Sequence, residues 1–219
     1  MPERYEQRQF AVPGDAVELL LVRHGASMGA PEGEVPELLE GHSNPPLAPS
    51  GHEQALRVAD RLAALPLRAL YVTPLQRTHQ TAAPLAERLG LVPTEVADLR
   101  EVFLGEWEGG EFRRRAIDGS DRYRQVMAQE RWDLIPGAES GQAFADRVRR
   151  GIETIVAEAG PGAPVAAFVH GGVIGEACRQ ATASRPFAFL FADNCSITRL
   201  VVLADGRWLL RTFNDIAHL

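Results

Sequence analysis

The chain has 219 residues, 45% of them hydrophobic and 24% charged, the balance of a globular protein with length for one large domain or two small ones. Its 23 basic and 29 acidic side chains set up no general field that draws polyanions, which argues against nucleic acid or an anionic membrane as the main partner. Every basic residue is arginine, which excludes a Walker A loop, a kinase-type lysine and Schiff-base catalysis; any phosphate held by side-chain cations is held by arginine forks.

Residues 1–16 are polar, contain Pro13 and Gly14, and read as an N-terminal extension. MPERYEQRQF carries charges where a signal peptide needs an apolar stretch, and no window approaches 18 apolar residues, so a cytoplasmic location is expected. Val17–Val22 (VELLLV) predicts a buried strand stopping abruptly at Arg23-His24-Gly25. From Ala26 to Pro49 the chain is rich in Gly, Pro, Ser and Glu without sustained periodicity, and so long a connection is usually functional. Ser50 and Glu53 stand at capping-box spacing and predict a helix start, with Leu56, Ala59, Leu62 and Ala63 as its apolar face.

Ala69–Val72 predicts a second strand, with Thr73 as cap and Pro74 opening a helix that runs through Arg77 towards Gly90 and is kinked at Pro84. Val92, Thr94 and Val96 suggest another strand, Asp98–Gly110 a loop bearing Glu101 and Trp107, and Glu111–Trp132 a charged, partly helical stretch. Ser140 caps a helix whose apolar positions Phe144, Val148, Ile152 and Ile155 recur at helical spacing. A strand at Val165–Val169 ends in His170-Gly171-Gly172 and leads into a helix through Cys178. Cys178 and Cys195 fit neither a zinc spacing nor a disulfide framework and read as buried filler. Ile197–Leu203 and Trp208–Phe213 form a closing hairpin across Asp205-Gly206. The expected fold is one α/β domain over residues 1–219, a mainly parallel sheet with helices on both faces and a C-terminal hairpin.

Three strands end in polar residues: Arg23-His24-Gly25, Thr73 to Arg77, and His170-Gly171-Gly172. Ligands of open parallel sheets bind beyond the carboxyl ends of strands, so these segments are expected to meet at one pocket holding two histidines and two arginines. The helices after Thr73-Pro74 and Gly171-Gly172 would add free amides facing an anion. His42, His52, His79 and His218 read as solvated surface, Arg113–Arg115 as a solvated charge run. No histidine pair has metal-ligand spacing, and no metal or other cofactor is expected.

The order and wording of these pieces resemble the histidine phosphatase superfamily, which includes cofactor-dependent phosphoglycerate mutases and many acid phosphatases. LLLVRHGAS is similar to its arginine-histidine-glycine signature, GHSNPPLAPSGHEQA to the loop and helix that follow, and YVTPLQRTHQTA to its second arginine motif. LREVFLGEWEG resembles its acid-bearing loop, PGAES a conserved helix entry and FVHGGVI its second histidine motif. The resemblance implies a phosphoglycerate mutase-like fold and a metal-independent phosphatase with His24 as nucleophile. Arg23, Arg77 and a protonated His170 would surround the phosphoryl group, with Gly171 and Ser27 as further phosphate contacts, and Glu101 would give a proton to the leaving oxygen. Water would then attack the phosphohistidine with Glu101 as base.

Departures from the family pattern fall beside the signature. Ala26 stands where an acidic residue is common, Ala30 where many members place a phosphate-contacting asparagine, and the loop to Gly41 is about four residues longer than in the mutases. Ser27, Ser43 and Asn44 are the residues that could supply the missing contact. Mutases exclude water from the phosphoenzyme with extra chain and a longer, lysine-bearing C-terminal segment, whereas this sequence stops at Leu219. Hydrolysis of a small phosphate ester is therefore the expected activity. A mutase acting on a phosphorylated three-carbon acid and a non-catalytic phospholigand-binding protein are the alternatives.

Overall fold

Side-chain alternation along two central strands decides how the sheet is covered. In β1 (Val17–Arg23) and β6 (Val165–Val169), Leu19, Leu21, Val165, Ala167 and Val169 enter one apolar cluster, while Leu20, Val22, Ala166 and Phe168 enter another. Both faces are buried, so the strands read as continuous apolar runs rather than as alternation. The computed structural model describes residues 7–29 and 37–219. Residues 1–6 of the expected N-terminal extension, and Ala30, lie outside them.

The sheet has the order β5-β4-β6-β1-β7-β8. β4 (Leu70–Val72), β5 (Thr94–Glu95), β6 and β1 are parallel, and β7 (Ile197–Val202) and β8 (Trp208–Asp215) complete it antiparallel as the expected hairpin. A two-residue hairpin, β2 (Leu38–Leu39) and β3 (His42–Ser43), stands apart within the long loop. Helices α1 (Pro49–Leu62) and α2 (Gln76–Leu89) cover one face through Val58, Ala59, Leu62, Ala82 and Leu85. The other face is covered by α5 (Gly141–Ala159) and α6 (Gly171–Thr182). Ser140 caps α5 by accepting a hydrogen bond from Ala143 N, and Phe144, Val148, Ile152 and Ile155 are buried, all as expected. Phe168 is fully buried, and truncating such a ring to alanine costs about 3–5 kcal/mol.

Several boundaries differ from the sequence expectation. Helix α1 begins with Pro49 as its first residue and Ala48 as cap, and no side chain caps it; Ser50 lies inside the first turn. The earlier start is set by contact. Gly51 packs on the backbone of Ala26, where a Cβ would stand 2.0 Å from the Ala26 carbonyl oxygen. Leu56 points to solvent, and Ala55 and Val58 take the inward positions. Helix α2 begins at Gln76, not Pro74, and continues through Pro84 to Leu89. Val92 is exposed and only Thr94 and Glu95 pair, because Leu91 and Val96 carry the burial on either side. The acid-bearing loop contains two 3-10 turns, Ala97–Leu99 and Gly105–Trp107, and the charged stretch resolves into α3 (Glu111–Asp118) and α4 (Asp121–Gln129). Cys178 and Cys195 are buried free thiols, each pushed up to about 12 by burial.

Candidate active site

Arg23 pairs with Val169 across the parallel β1-β6 ladder, so the residues that follow, His24 and His170, leave the sheet side by side. His24 N donates to Val169 O at 2.9 Å, and the two imidazoles meet at 5.2 Å between centroids, inclined by 61°. Both side chains are buried. His24 Nδ1 donates to the carbonyl of Gly25 at 2.8 Å, an acceptor that places the proton on Nδ1 and leaves the Nε2 lone pair available. Burial, followed by the charges of Arg77 and Arg23, holds the His24 pKa well below its ordinary 6.5. The ring is neutral at neutral pH, as a nucleophile must be.

The backbone around His24 is tied down from several elements. Gly25 N donates to Thr81 Oγ1 at 3.0 Å, Ala26 N to Gln54 Oε1 at 2.8 Å, and Asn194 Nδ2 to the His24 carbonyl at 2.8 Å. Gly25 itself has no room for a side chain, since a Cβ would lie 2.5 Å from Gly51 O.

His170 Nε2 and Thr73 Oγ1 are 2.9 Å apart, and His170 Nδ1 is buried without a partner. Thr73 is thus not the helix cap of the sequence reading. Its hydroxyl lies closer to His170 Nε2 than to Leu75 N, from which it accepts at 3.4 Å, and Thr78 Oγ1 also binds the backbone turn, accepting from Thr73 N and donating to Leu75 O. Burial, then the charges of Arg77 and His24, push the His170 pKa well below 6.5. A phosphoryl dianion opposes that shift by Coulomb attraction. A neutral ring can still donate from Nδ1 if Thr73 donates to Nε2.

Arg23 is held by a hydrogen bond to Ala192 O, and its Nε is buried without a partner; a Cβ on Gly171 would stand 3.4 Å from that Nε. Arg77, almost wholly buried, donates to Ser43 O at 2.8 Å, and burial lowers its pKa to about 10. It stays a cation at neutral pH. Ser43 is fixed in turn by Glu108, which accepts from its amide at 2.7 Å and from its hydroxyl, and which also accepts from Leu104 N. Glu108 had no distinct signal in the sequence beyond the GEWEG segment.

Glu101 approaches from the loop above α6. Its carboxylate accepts from Gly172 N at 3.1 and 3.3 Å, and a Cβ on Gly172 would lie 2.5 Å from Oε1. The first-turn amides expected to face an anion are therefore partly committed: Gly172 N to Glu101, and Gln76 N to Asn44 Oδ1 at 2.9 Å. Of the three residues that could replace the missing asparagine, Asn44 and Ser43 are so engaged, and Ser27 Oγ accepts from Arg113 Nη2 at 2.7 Å.

Arg113 is exposed, as a solvated run requires, and makes in addition a contact that the sequence reading did not foresee. Arg114 and Arg115 pair with Glu111, while Arg113 turns to Ser27, and its charge adds to burial, the larger cause, in lowering the pKa values of Arg23, His24 and Arg77. Two of the remaining histidines depart from a solvated surface. His42 is half-buried against Phe103, and His218 Nε2 donates to Cys195 O at 3.0 Å. Among the described residues, no three His, Cys, Asp or Glu side chains group so as to hold a metal ion, and no helix is long and apolar enough to cross a membrane.

Comparison with known proteins agrees with this geometry. A "probable phosphoglycerate mutase" of Salmonella choleraesuis is 29% identical over 212 residues, covering 93% of this chain and 95% of its own. Mycobacterial glucosyl-3-phosphoglycerate phosphatase is 26% identical with a TM-score of 0.74 over 91% of this chain and 99% of its own. A phosphoglycerate mutase of Bacillus anthracis shares the fold, with a TM-score of 0.75 and 23% identity over 94% of this chain and 96% of its own. The family model of the histidine phosphatase superfamily (branch 1) matches residues 19–216, and the chain belongs to that superfamily.

Proposed function

We propose that the protein is a phosphomonoesterase that transfers the phosphoryl group of a small phosphate ester to His24 Nε2 and then to water. The observation that carries this reading is the His24 hydrogen bond to Gly25 O, which fixes the proton on Nδ1 and leaves a neutral Nε2 among Arg23, Arg77 and His170. In the first step the Nε2 lone pair forms the N–P bond while the P–O bond to the leaving group breaks. Arg23 Nε and His170 Nδ1, both unpartnered, are the donors suited to the equatorial oxygens. Glu101 supplies the proton that an alkoxide needs to leave, and in the second step takes a proton from the attacking water. None of these roles requires a metal, so EDTA should leave the rate unchanged.

A mutase reading is favoured by the 29% identity to a probable phosphoglycerate mutase, and hydrolysis by the 26% identity to a phosphatase. The persistence of the phosphoenzyme separates them. Enzyme labelled by a brief pulse of ³²P-ester, then chased with buffer alone, should lose its label within a few turnovers and release inorganic phosphate. Label that survives in buffer but moves to an added phosphoglycerate would establish a mutase. His24→Ala should take up no label and keep less than about a hundredth of the activity.

A further inference from the structure

Between its two 3-10 turns the loop that carries Glu101 has no regular ladder of its own, and one ion pair takes the carbonyls of Asp98, Arg100 and Glu101 and the amide of Phe103. Arg147, on α5, is 14% exposed and Glu139 15%. From Nη1, Arg147 donates to Asp98 O at 2.9 Å and to Arg100 O at 2.5 Å; from Nη2 it donates to Glu101 O at 2.8 Å. The same guanidinium binds both oxygens of Glu139, with Nε to Oε2 at 3.0 Å. Glu139 continues the clamp beyond the acid, since its Oε1 accepts from Phe103 N at 2.7 Å and its own amide donates to Phe103 O at 3.1 Å. The pair therefore grips the backbone immediately before and after Glu101, while Val102 N and Gly172 N hold the carboxylate head.

We propose that Arg147, together with Glu139, is a positioning residue for proton transfer, holding the Asp98–Phe103 backbone so that the Glu101 carboxyl meets the leaving oxygen. This rests on the reading of Glu101 as the general acid. Arg147 acts on backbone and on Glu139, and its contribution runs through Glu101. Three carbonyls and a carboxylate need several donors spread in a plane, which a guanidinium provides and an ammonium of equal charge does not. Once the clamp is loosened, the loop samples positions in which the carboxyl misses the leaving group, and displacements of about 1 Å are costly for a transferred proton.

The test compares kcat/KM, which reports transfer to His24, across phosphate monoesters whose leaving groups range from a nitrophenol to a simple alcohol. Arg147→Lys keeps the charge and Glu139→Gln the volume; Glu101→Gln is the reference, and thermal unfolding checks that each variant is folded. Glu101→Gln should lose about 10²–10⁴-fold on the alkyl ester and far less on the nitrophenyl ester. Arg147→Lys and Glu139→Gln should follow the same leaving-group dependence, losing about 10–100-fold on the alkyl ester and under about 5-fold on the nitrophenyl ester. If Arg147→Lys does not fold, Glu139→Gln decides by the same criterion. Folded variants that lose activity equally on both esters, or lose none, while Glu101→Gln keeps its dependence, overturn the positioning role alone. Equal losses in Glu101→Gln itself overturn the acid assignment, and the proposal falls with it.

Discussion

His24 and His170 stand at the ends of adjacent parallel strands, buried and neutral; the backbone of His24 and Gly25 is tied to Val169, Thr81 and Asn194, and the His170 carbonyl accepts from Ile174 N in α6. Glu101 lies on a loop between 3-10 turns, and its placement depends on one partly buried ion pair, its neighbour's amide at Val102 and one helix amide at Gly172. On the proposed reading the phosphoryl side is thus built by the sheet, whose register leaves little freedom to either histidine. The side proposed to meet the leaving group is built by side-chain bonds to an irregular backbone, the arrangement through which one fold accommodates different substrates. The contrast implies that damage to the sheet side abolishes phosphoryl transfer to every ester, whereas damage to the loop side discriminates among leaving groups.

Gly172→Ala sharpens that contrast on the loop side. A Cβ there stands 2.5 Å from Glu101 Oε1, so the carboxylate must move while Gly172 N and the fold remain. The expected loss is about 10-fold in kcat/KM on an alkyl ester, little on a nitrophenyl ester, and little change in thermal midpoint. Equal losses on both would mean that α6, rather than the acid, had been displaced.

The buried side can be broken through pH. Both imidazoles have pKa values pushed well below 6.5 in the fold, whereas in the unfolded chain they protonate near that value. Below about pH 6.5 the unfolded state binds more protons, so the histidines make stability fall as pH drops from there towards their depressed folded values. Each adds a slope of up to about 1.4 kcal/mol per pH unit in that window. Denaturant unfolding at several pH values between 5 and 7.5 in phosphate-free buffer should therefore give His170→Gln a shallower slope than the parent. An unchanged slope would show that His170 is not buried in neutral form.

The two sides also differed in how far the sequence disclosed them. Apolar runs that stop at Arg23-His24-Gly25 and His170-Gly171-Gly172 are visible without a structure, because a buried parallel strand needs consecutive apolar residues and its end is abrupt. The α5 cap at Ser140 was visible for a similar reason, a local hydrogen bond followed by a clear helical period. Ser50 and Thr73 had equally good local cap chemistry and were overruled by tertiary contacts, the first by the close approach of Gly51 to Ala26, the second by His170. Arg147 and Glu139 belong to segments distant from the loop they hold, and no spacing announces such a bond. Arg113 could have been separated from its neighbours by helix geometry: consecutive residues point about 100° apart, so three adjacent arginines, even where exposed, do not meet the same partners.

The nitrogen that carries the phosphate tests the central claim most directly. Enzyme trapped during turnover under alkaline denaturing conditions, digested and examined by tandem mass spectrometry with ³¹P NMR of the phosphopeptide, reports both the residue and the isomer. The hydrogen bond from His24 Nδ1 to Gly25 O predicts phosphate on His24 Nε2 alone. Phosphate on Nδ1, on His170 or on no histidine would contradict the account.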